Sequence, residues 1–149
     1  MIENLLQIVS SQKKYFVMIS NEIQVRVRYA ETDQMGYVYY GNYATYFEVA
    51  RVELLRSIGF TYKKLEEDGI MLPVFDYSIK YFKPAFYDDL LTIRTSMEYN
   101  DGARIKFHYE IFNESGIMLN AADTTLVFID RKTNRPTSMP EDMKKKMKN

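Results

Sequence analysis

Five segments of the chain alternate apolar and polar residues, which is the pattern of β-strands that bury one face. They cover residues 22–29, 75–81, 91–99, 104–111 and 117–129. In the last segment the alternation breaks at 123–125, which predicts a β-bulge or a change of the exposed face. An Asp-Gly pair at 101–102 and a Glu-Ser-Gly run at 114–116 predict the hairpin turns that join the last three strands.

Between the first two strands the apolar residues recur at helical spacing, which predicts a helix over residues 43–58. The apolar stripe consists of Tyr43, Tyr46, Phe47, Ala50, Leu54 and Ile58. Arg51 lies on the opposite side of the helix, which is mostly polar. Because this side also contains some apolar residues, the helix is expected to be covered on more than one side and to lie at the centre of the fold. Asn42 is predicted to cap its start and Gly59 its end. A short helix or a loop is predicted over 61–68, and a short helix that is expected to fray is predicted after Pro140.

These elements predict an α+β protein in which an antiparallel sheet curls around one apolar helix. The domain is predicted to cover residues 21–149. Residues 1–20 form a lead that is a short helix, a disordered segment or the product of an upstream start codon. Such a sheet has two open edges. In addition, thirteen tyrosines and nine methionines give the chain more apolar surface than one helix covers. We therefore expect a homodimer, or a tetramer built from dimers.

Composition excludes several classes of function. Twenty basic and twenty acidic residues cancel, so no overall charge attracts nucleic acid or an anionic membrane. The chain has no cysteine, which removes disulfides and thiolate chemistry and favours the cytoplasm. No stretch approaches the roughly 18 uninterrupted apolar residues of a membrane span, and the acidic Glu3 does not fit a signal peptide.

The motifs of common active sites are also missing from the sequence. His108 is the only histidine and is interpreted as a surface residue on the polar face of its strand, so a Ser-His-Asp triad is not expected. No nucleophile elbow, phosphate loop or dinucleotide fingerprint is present. Asp88 and Asp89 are explained by a turn, and no metal site or cofactor is predicted.

The loop before the central helix is the remaining candidate site. Asp33 can act as a base or nucleophile toward an acyl carbon. The free amides of Tyr40 and Gly41 at the helix start can hold the oxyanion. Gly36 and Gly41 permit the sharp chain path that lets a substrate approach. An aspartate in a turn before a helix is also common without any catalytic role, so residue types alone leave both interpretations open.

At this loop the sequence resembles the 4-hydroxybenzoyl-CoA thioesterase family of hotdog-fold proteins, particularly small bacterial acyl-CoA thioesterases. The resemblance spans residues 22–142. The matching residues are Arg28, Tyr29, Thr32, Asp33, Gly36, Val38, Tyr39, Asn42, Tyr43, Tyr46, Phe47, Glu48 and Arg51, with Pro84, Ala85 and Asp89 downstream. It implies a five-stranded antiparallel sheet wrapped around a central helix, and hydrolysis of acyl-CoA thioesters at a dimer interface.

The resemblance also implies roles for individual residues. Asp33 matches the family's catalytic aspartate, the backbone amide of Tyr40 matches the group that polarises the thioester carbonyl, and Tyr29 matches a tyrosine that lines the site in some relatives. Part of the family has a histidine at position 40, where this chain has tyrosine. Mechanisms that need an imidazole are therefore not expected here.

A CoA thioester, as substrate, requires cations for its phosphates. The candidates are Lys80, Lys83, Arg94, Arg104 and Lys106, each of which, taken singly, is better explained as ordinary surface charge on or near a strand. An acyl-carrier protein is an alternative carrier of the thioester. A hotdog dimer that binds acyl-CoA or acyl-carrier protein without turnover is the main alternative function, and a hydratase is disfavoured because His108 is the only histidine.

Overall fold

The computed structural model describes residues 17–99 and 101–147. In chain order the elements are β1 (Val17–Arg26), a 3-10 turn (Tyr29–Glu31), α1 (Asn42–Ser57), α2 (Tyr62–Glu67), β2 (Ile70–Met71), β3 (Val74–Tyr81), β4 (Leu90–Tyr99), β5 (Arg104–Phe112), β6 (Met118–Val127), β7 (Ile129–Asp130), β8 (Arg135–Pro136) and α3 (Glu141–Met147). The large sheet has the antiparallel order β1-β4-β5-β6-β3, and β2, β7 and β8 form a small second sheet. Among the described residues, no helix has the length and apolarity needed to cross a membrane.

The predicted five-stranded antiparallel sheet around a central helix is confirmed. The first strand begins earlier than its alternation indicated, at Val17, so residues 17–20 belong to β1 and not to a lead. Most of the predicted lead, residues 1–16, lies outside the described residues. The other four strands agree with their predicted ranges at most ends to within one residue.

The predicted bulge at 123–125 is wrong. Pairing of residues 123–125 with β5 is continuous. The nearest register shift puts the extra residue in β3, between Val74 and Asp76 and opposite Thr125 and Leu126, and the other shift lies between Ile111 and Phe112. The alternation breaks in the sequence because Thr124 is a polar residue on the buried face of β6, where its hydroxyl lies 2.7 Å from the Tyr109 hydroxyl. A satisfied hydroxyl can occupy a core position without disturbing the alternation.

Helix α1 lies on the inner face of the sheet, and most of its apolar stripe is buried. Its last helical residue is Ser57, and as predicted Gly59 closes the helix end, with a φ of 88° that is the left-handed conformation favouring glycine. The Gly59 N–H donates to the Arg56 carbonyl, and the Phe60 N–H donates to the Leu55 carbonyl, both at 2.9 Å. The C-terminal helix α3, expected to fray, instead buries Met143 and Met147 in the core.

Candidate functional site

Asp33 forms a tight turn with the residues that follow it. Its Oδ1 accepts hydrogen bonds from the N–H groups of Met35 at 2.9 Å and Tyr37 at 3.1 Å. Its N–H donates to the Tyr37 carbonyl, its carbonyl accepts from the Gly36 N–H, and Gly36 has a φ of 81°. One carboxylate oxygen therefore stabilises the turn, while Oδ2 accepts no hydrogen bond from any described residue.

The same turn occurs a second time, with asparagine in place of aspartate. Asn113 Oδ1 accepts from the N–H groups of Ser115 and Ile117, both at 3.0 Å, and Gly116 has a φ of 75°. The backbone bonds of the two turns also correspond. Since an uncharged amide builds this turn, the negative charge of Asp33 is not needed for it.

The half-buried side chain of Asp33 lines a pocket of about 290 Å³. The other lining residues are Met35, Tyr37, Val38, Tyr40, Tyr43, Tyr81, Phe82, Lys83 and Pro84. The walls are thus mainly aromatic, with one cation, Lys83, at the wall. Burial, together with nearby Tyr81, Asp33 and Asp89, raises the pKa of the Tyr43 hydroxyl, so this phenol stays protonated in the pocket.

The start of α1 lies beside this pocket. Gly41 precedes the helix, and the N–H groups of Tyr40 and Gly41 donate to no backbone carbonyl of the described residues. A Cβ at Gly41 would lie 2.8 Å from Cε1 of the Tyr39 ring, so this position is limited to glycine unless the ring moves. Asn42 is not the cap that its side chain suggested: it is the first helical residue, and its Nδ2 donates to the Glu31 carbonyl at 2.8 Å.

Glu31 holds the loop against α1. Its carboxylate is buried and accepts hydrogen bonds from the Tyr46 hydroxyl at 2.9 Å and from the Arg28 N–H and guanidinium, both at 2.8 Å. Burial alone raises the pKa of this carboxyl, but the hydrogen bonds from Arg28 and Tyr46 outweigh that effect and lower it. The sequence prediction missed Glu31, although an acidic residue two positions before Asp33 was visible.

The structure brings only some of the predicted site residues together. Asp33, Tyr40 and Lys83 share the pocket. Tyr29 does not line it in the single chain: its side chain is 78% exposed and contacts the Tyr87 ring edge-on at 5.5 Å. Its role stays a prediction.

The other four predicted cations lie on the face of the sheet away from α1. Lys80 and Arg94 line a broad concavity of about 680 Å³ there, and Arg94 Nε donates to Glu22 at 2.9 Å. Arg104 lies over the Phe75 ring at 4.6 Å, and Lys106 is exposed on β5. In a single chain none of the four reaches the Asp33 pocket, so their roles also stay predictions.

His108 lies on the outer face, as predicted, but it is not simply solvated. Its Nδ1 contacts the Asp123 carboxylate, and its Nε2 lies 2.9 Å from Glu98 Oε2. The two carboxylates occupy opposite edges of the ring, so they do not converge on one ligand. Within residues 17–99 and 101–147, no group of three or more such side chains is arranged to hold a metal ion.

The sequence prediction placed Arg51 on the polar side of α1, and this was wrong. It is buried, with Nε donating to the Tyr62 hydroxyl at 2.7 Å and Nη1 to the Tyr109 hydroxyl at 3.0 Å. Its position four residues after Phe47 places it on the buried stripe, and that spacing was the available signal.

A five-stranded antiparallel sheet wrapped around one helix, with an acidic turn beside the start of that helix, defines a hotdog-fold protein. Residues 27–147 match the model of the thioesterase-like superfamily. The chain belongs to this family, and the resemblance found in the sequence is confirmed.

Three relatives illustrate the similarity. The chain is 36% identical to a putative acyl-CoA thioesterase, YneP, of Bacillus subtilis over 76% of this chain and 82% of the relative. It is 32% identical to the acyl-CoA thioester hydrolase YbgC of Escherichia coli, over 80% and 89%. The structure of a DHNA-CoA thioesterase from Staphylococcus aureus matches with a TM-score of 0.76 and 39% identity, covering 80% of each chain.

Proposed function

We propose that this protein hydrolyses acyl-CoA thioesters, with Asp33 and the backbone amide of Tyr40 performing the chemistry. The observation that carries the proposal is a carboxylate whose charge its own turn does not need, facing an aromatic pocket beside the start of α1. The names of the bacterial relatives, which include an acyl-CoA thioester hydrolase, support the same reaction.

The reaction requires a base or nucleophile and a stabilised oxyanion. Asp33 Oδ2 either attacks the acyl carbon itself or takes a proton from an attacking water. The amide of Tyr40, with that of Gly41 beside it, donates to the carbonyl oxygen as it becomes negative. The C–S bond then breaks, CoA leaves as a thiolate that takes up a proton, and water supplies the oxygen of the acid. No cofactor enters these steps, and Lys83 provides a cation for a CoA phosphate.

Asp33→Asn tests the proposal, because Asn113 shows that an amide preserves the turn. We expect release of free CoA thiol to fall by roughly 10²- to 10⁴-fold or more, with an unchanged melting temperature and unchanged binding of a non-hydrolysable acyl-CoA analogue. Asn113→Asp is the matched control, which places a carboxylate in the equivalent turn away from the pocket. Full turnover by Asp33→Asn would refute the catalytic role.

Binding without turnover is the second candidate function. It is favoured by one observation: the turn already engages Oδ1 of Asp33. This function predicts stoichiometric binding of acyl-CoA by calorimetry with no thiol released over hours. Thiol release that scales with protein concentration and is lost in Asp33→Asn would exclude it.

CoA and acyl-carrier protein present a thioester on the same phosphopantetheine arm, so either carrier fits the pocket. Another relative, 30% identical, is named an acyl-acyl carrier protein thioesterase of Arabidopsis thaliana. Assays with the same acyl group on both carriers distinguish them. Location in the cytoplasm stays a prediction, based on the cysteine-free composition.

We further propose that the active form is a homodimer joined at strand β3. This strand is an edge of the large sheet, and one side of its backbone pairs with no strand of residues 17–99 and 101–147. It also carries large exposed side chains, among them Phe75 at 60% and Tyr81 at 47% exposure. Such an edge can pair with the same strand of a second copy. Tyr81 belongs to this edge strand and also lines the Asp33 pocket.

Tyr77→Lys tests the dimer by placing a charge in the middle of β3. Light scattering is expected to show a monomer, and thiol release is expected to fall because the cleft is incomplete. Gln24→Lys places the same charge on the opposite edge strand, β1, and serves as the control. A folded Tyr77→Lys variant that remains dimeric would show that β3 is not the interface.

A further inference from the structure

Asn42 begins α1, and it binds two carbonyl groups that come from different segments of the chain. Its side-chain Nδ2 donates to the Glu31 carbonyl at 2.8 Å, and its N–H donates to the Tyr39 carbonyl at 2.9 Å. The side chain therefore does not cap the helix, which is the usual task of an asparagine at a helix start. The proposed chemistry assigns it no task either.

A third hydrogen bond joins the two carbonyl segments to each other. The Glu31 carbonyl also accepts from the Tyr39 N–H at 2.9 Å. Glu31, Tyr39 and Asn42 thus form a closed ring of three hydrogen bonds, the Asn42 ring. Two of these bonds join backbone groups, and only the bond from Nδ2 can be removed by a substitution.

The Asn42 ring sets the direction of the Tyr40 amide. The Tyr39 carbonyl and the Tyr40 N–H belong to one planar peptide unit, and no peptide bond of the described residues is cis. In a trans unit the N–H points opposite to the carbonyl. Because the Asn42 N–H holds this carbonyl, the Tyr40 N–H points the other way. It donates to no backbone carbonyl of the described residues, and Tyr40 lines the Asp33 pocket.

The same ring connects the helix start to the segment that carries Asp33. Residues 31–39 form a short hairpin: its two end residues bond through the backbone, the next pair forms a β-bridge, and Asp33 lies in the turn. The Nδ2 bond of Asn42 goes to the first residue of this hairpin. One side-chain bond therefore ties the base of the hairpin to the peptide that carries the Tyr40 amide.

We propose that Asn42 is a positioning residue, whose side chain holds the Tyr40 amide in a fixed direction and at a fixed distance from the Asp33 carboxylate. This inference rests on the proposed thioesterase function and goes beyond it. A donor stabilises an oxyanion only when it is held in place before the charge develops. Because the oxyanion forms only during the reaction, a loosened amide affects turnover more than substrate binding.

Asn42→Ala tests the inference by removing the Nδ2 bond. The kcat for thiol release is expected to fall by roughly 10- to 100-fold, because a misplaced donor no longer meets the oxyanion, and KM is expected to change far less. Asn42→Ser gives the same comparison if the alanine variant does not fold. Serine is favoured at helix starts, but its side chain is one bond shorter and does not reach the Glu31 carbonyl.

Two non-hydrolysable CoA analogues separate positioning from a general loss of structure. In the first, a ketone, a methylene group replaces the thioester sulfur, so the carbonyl oxygen is kept. In the second, a thioether, the carbonyl is replaced by a methylene group. Asn42→Ala is expected to raise the Kd of the ketone by roughly 3- to 10-fold, the effect of one lost hydrogen bond, and to leave that of the thioether unchanged.

Thr61→Ala is the matched control, since it also removes one side-chain hydrogen bond at a helix start, that of α2, and Thr61 does not line the Asp33 pocket. Its kcat is expected to equal that of the wild type. An unchanged kcat in both Asn42 variants, or an equal weakening of both analogues, overturns the inference, while loss of thiol release in Asp33→Asn keeps the thioesterase proposal intact. If the wild type releases no thiol from any acyl-CoA, the proposed function is wrong, and the two Kd values decide the role of Asn42.

Discussion

The Glu31 carboxylate anchors the loop that carries Asp33, and removing its charge is expected to destabilise the protein measurably. Oε1 accepts hydrogen bonds from the Tyr46 hydroxyl and the Arg28 N–H, and Oε2 accepts one from the Arg28 guanidinium. Glu31 is 7% exposed, and the side chain of Arg28 is 74% exposed. The ion pair with Arg28 is therefore largely screened, and the bond from the buried Tyr46 hydroxyl contributes most.

The two substitutions at this position have different expected magnitudes. In Glu31→Gln the amide oxygen can still accept from Tyr46, but without the charge, which is expected to lower the free energy of unfolding by about 1–2 kcal/mol. Glu31→Ala also leaves the buried Tyr46 hydroxyl without an acceptor, which raises the expected loss to about 3–4 kcal/mol.

The effect is also expected to depend on pH. Hydrogen bonds hold the pKa of Glu31 below its ordinary value of 4.5 despite burial. Ionised Glu31 therefore contributes its stabilisation fully above the unfolded-state pKa and loses it as the pH falls through the lower folded-state pKa. The difference in unfolding free energy between wild type and Glu31→Gln should shrink when the pH is lowered from 7 toward 3.

Urea denaturation at pH 7 and at pH 3.5 measures both effects. Glu22→Gln is the control, because Glu22 forms an exposed ion pair with Arg94 and its substitution should change the unfolding free energy far less. The reasoning fails if Glu31→Gln is no more destabilising than Glu22→Gln at pH 7, or if its deficit relative to wild type does not shrink at low pH.

Two further substitutions probe other parts of the fold. Thr61→Ala removes the side chain that caps α2 by accepting from the Lys64 N–H at 3.1 Å, and a loss of about 1 kcal/mol in urea denaturation is expected; an unchanged midpoint would contradict the cap. Tyr109→Phe leaves the Arg51 Nη1 and the Thr124 hydroxyl without their shared partner, and a loss of about 2 kcal/mol is expected. A Tyr109→Phe variant as stable as the wild type would show that this buried contact contributes nothing net.

The sequence was sufficient to predict those features that depend only on residues close together in the chain. Period-two alternation located the strands, and in β4, β5 and β6 it corresponds to one buried face, whereas both faces of the edge strand β3 are largely exposed in the single chain. The turn at Asp33 and the helix end at Gly59 are set by neighbouring backbone groups, so their positions follow from a few adjacent residues. For the same reason Asp33 and Tyr40 were identified in advance as residues of one loop, and both line one pocket. Lys83 was predicted separately as a cation for a CoA phosphate, and only the fold brings it to this pocket.

Contacts between distant segments decided the rest. Arg51 is buried because the phenols of Tyr62 and Tyr109 accept its hydrogen bonds, and Tyr109 is 58 residues away in the chain. Asn42 binds the Glu31 carbonyl and does not cap its helix. The sequence by itself therefore determined the elements and the reactive loop, whereas the partners of the buried polar groups depended on which strands and helices pack together. A polar side chain looks the same in sequence whether it is solvated or satisfied in the core.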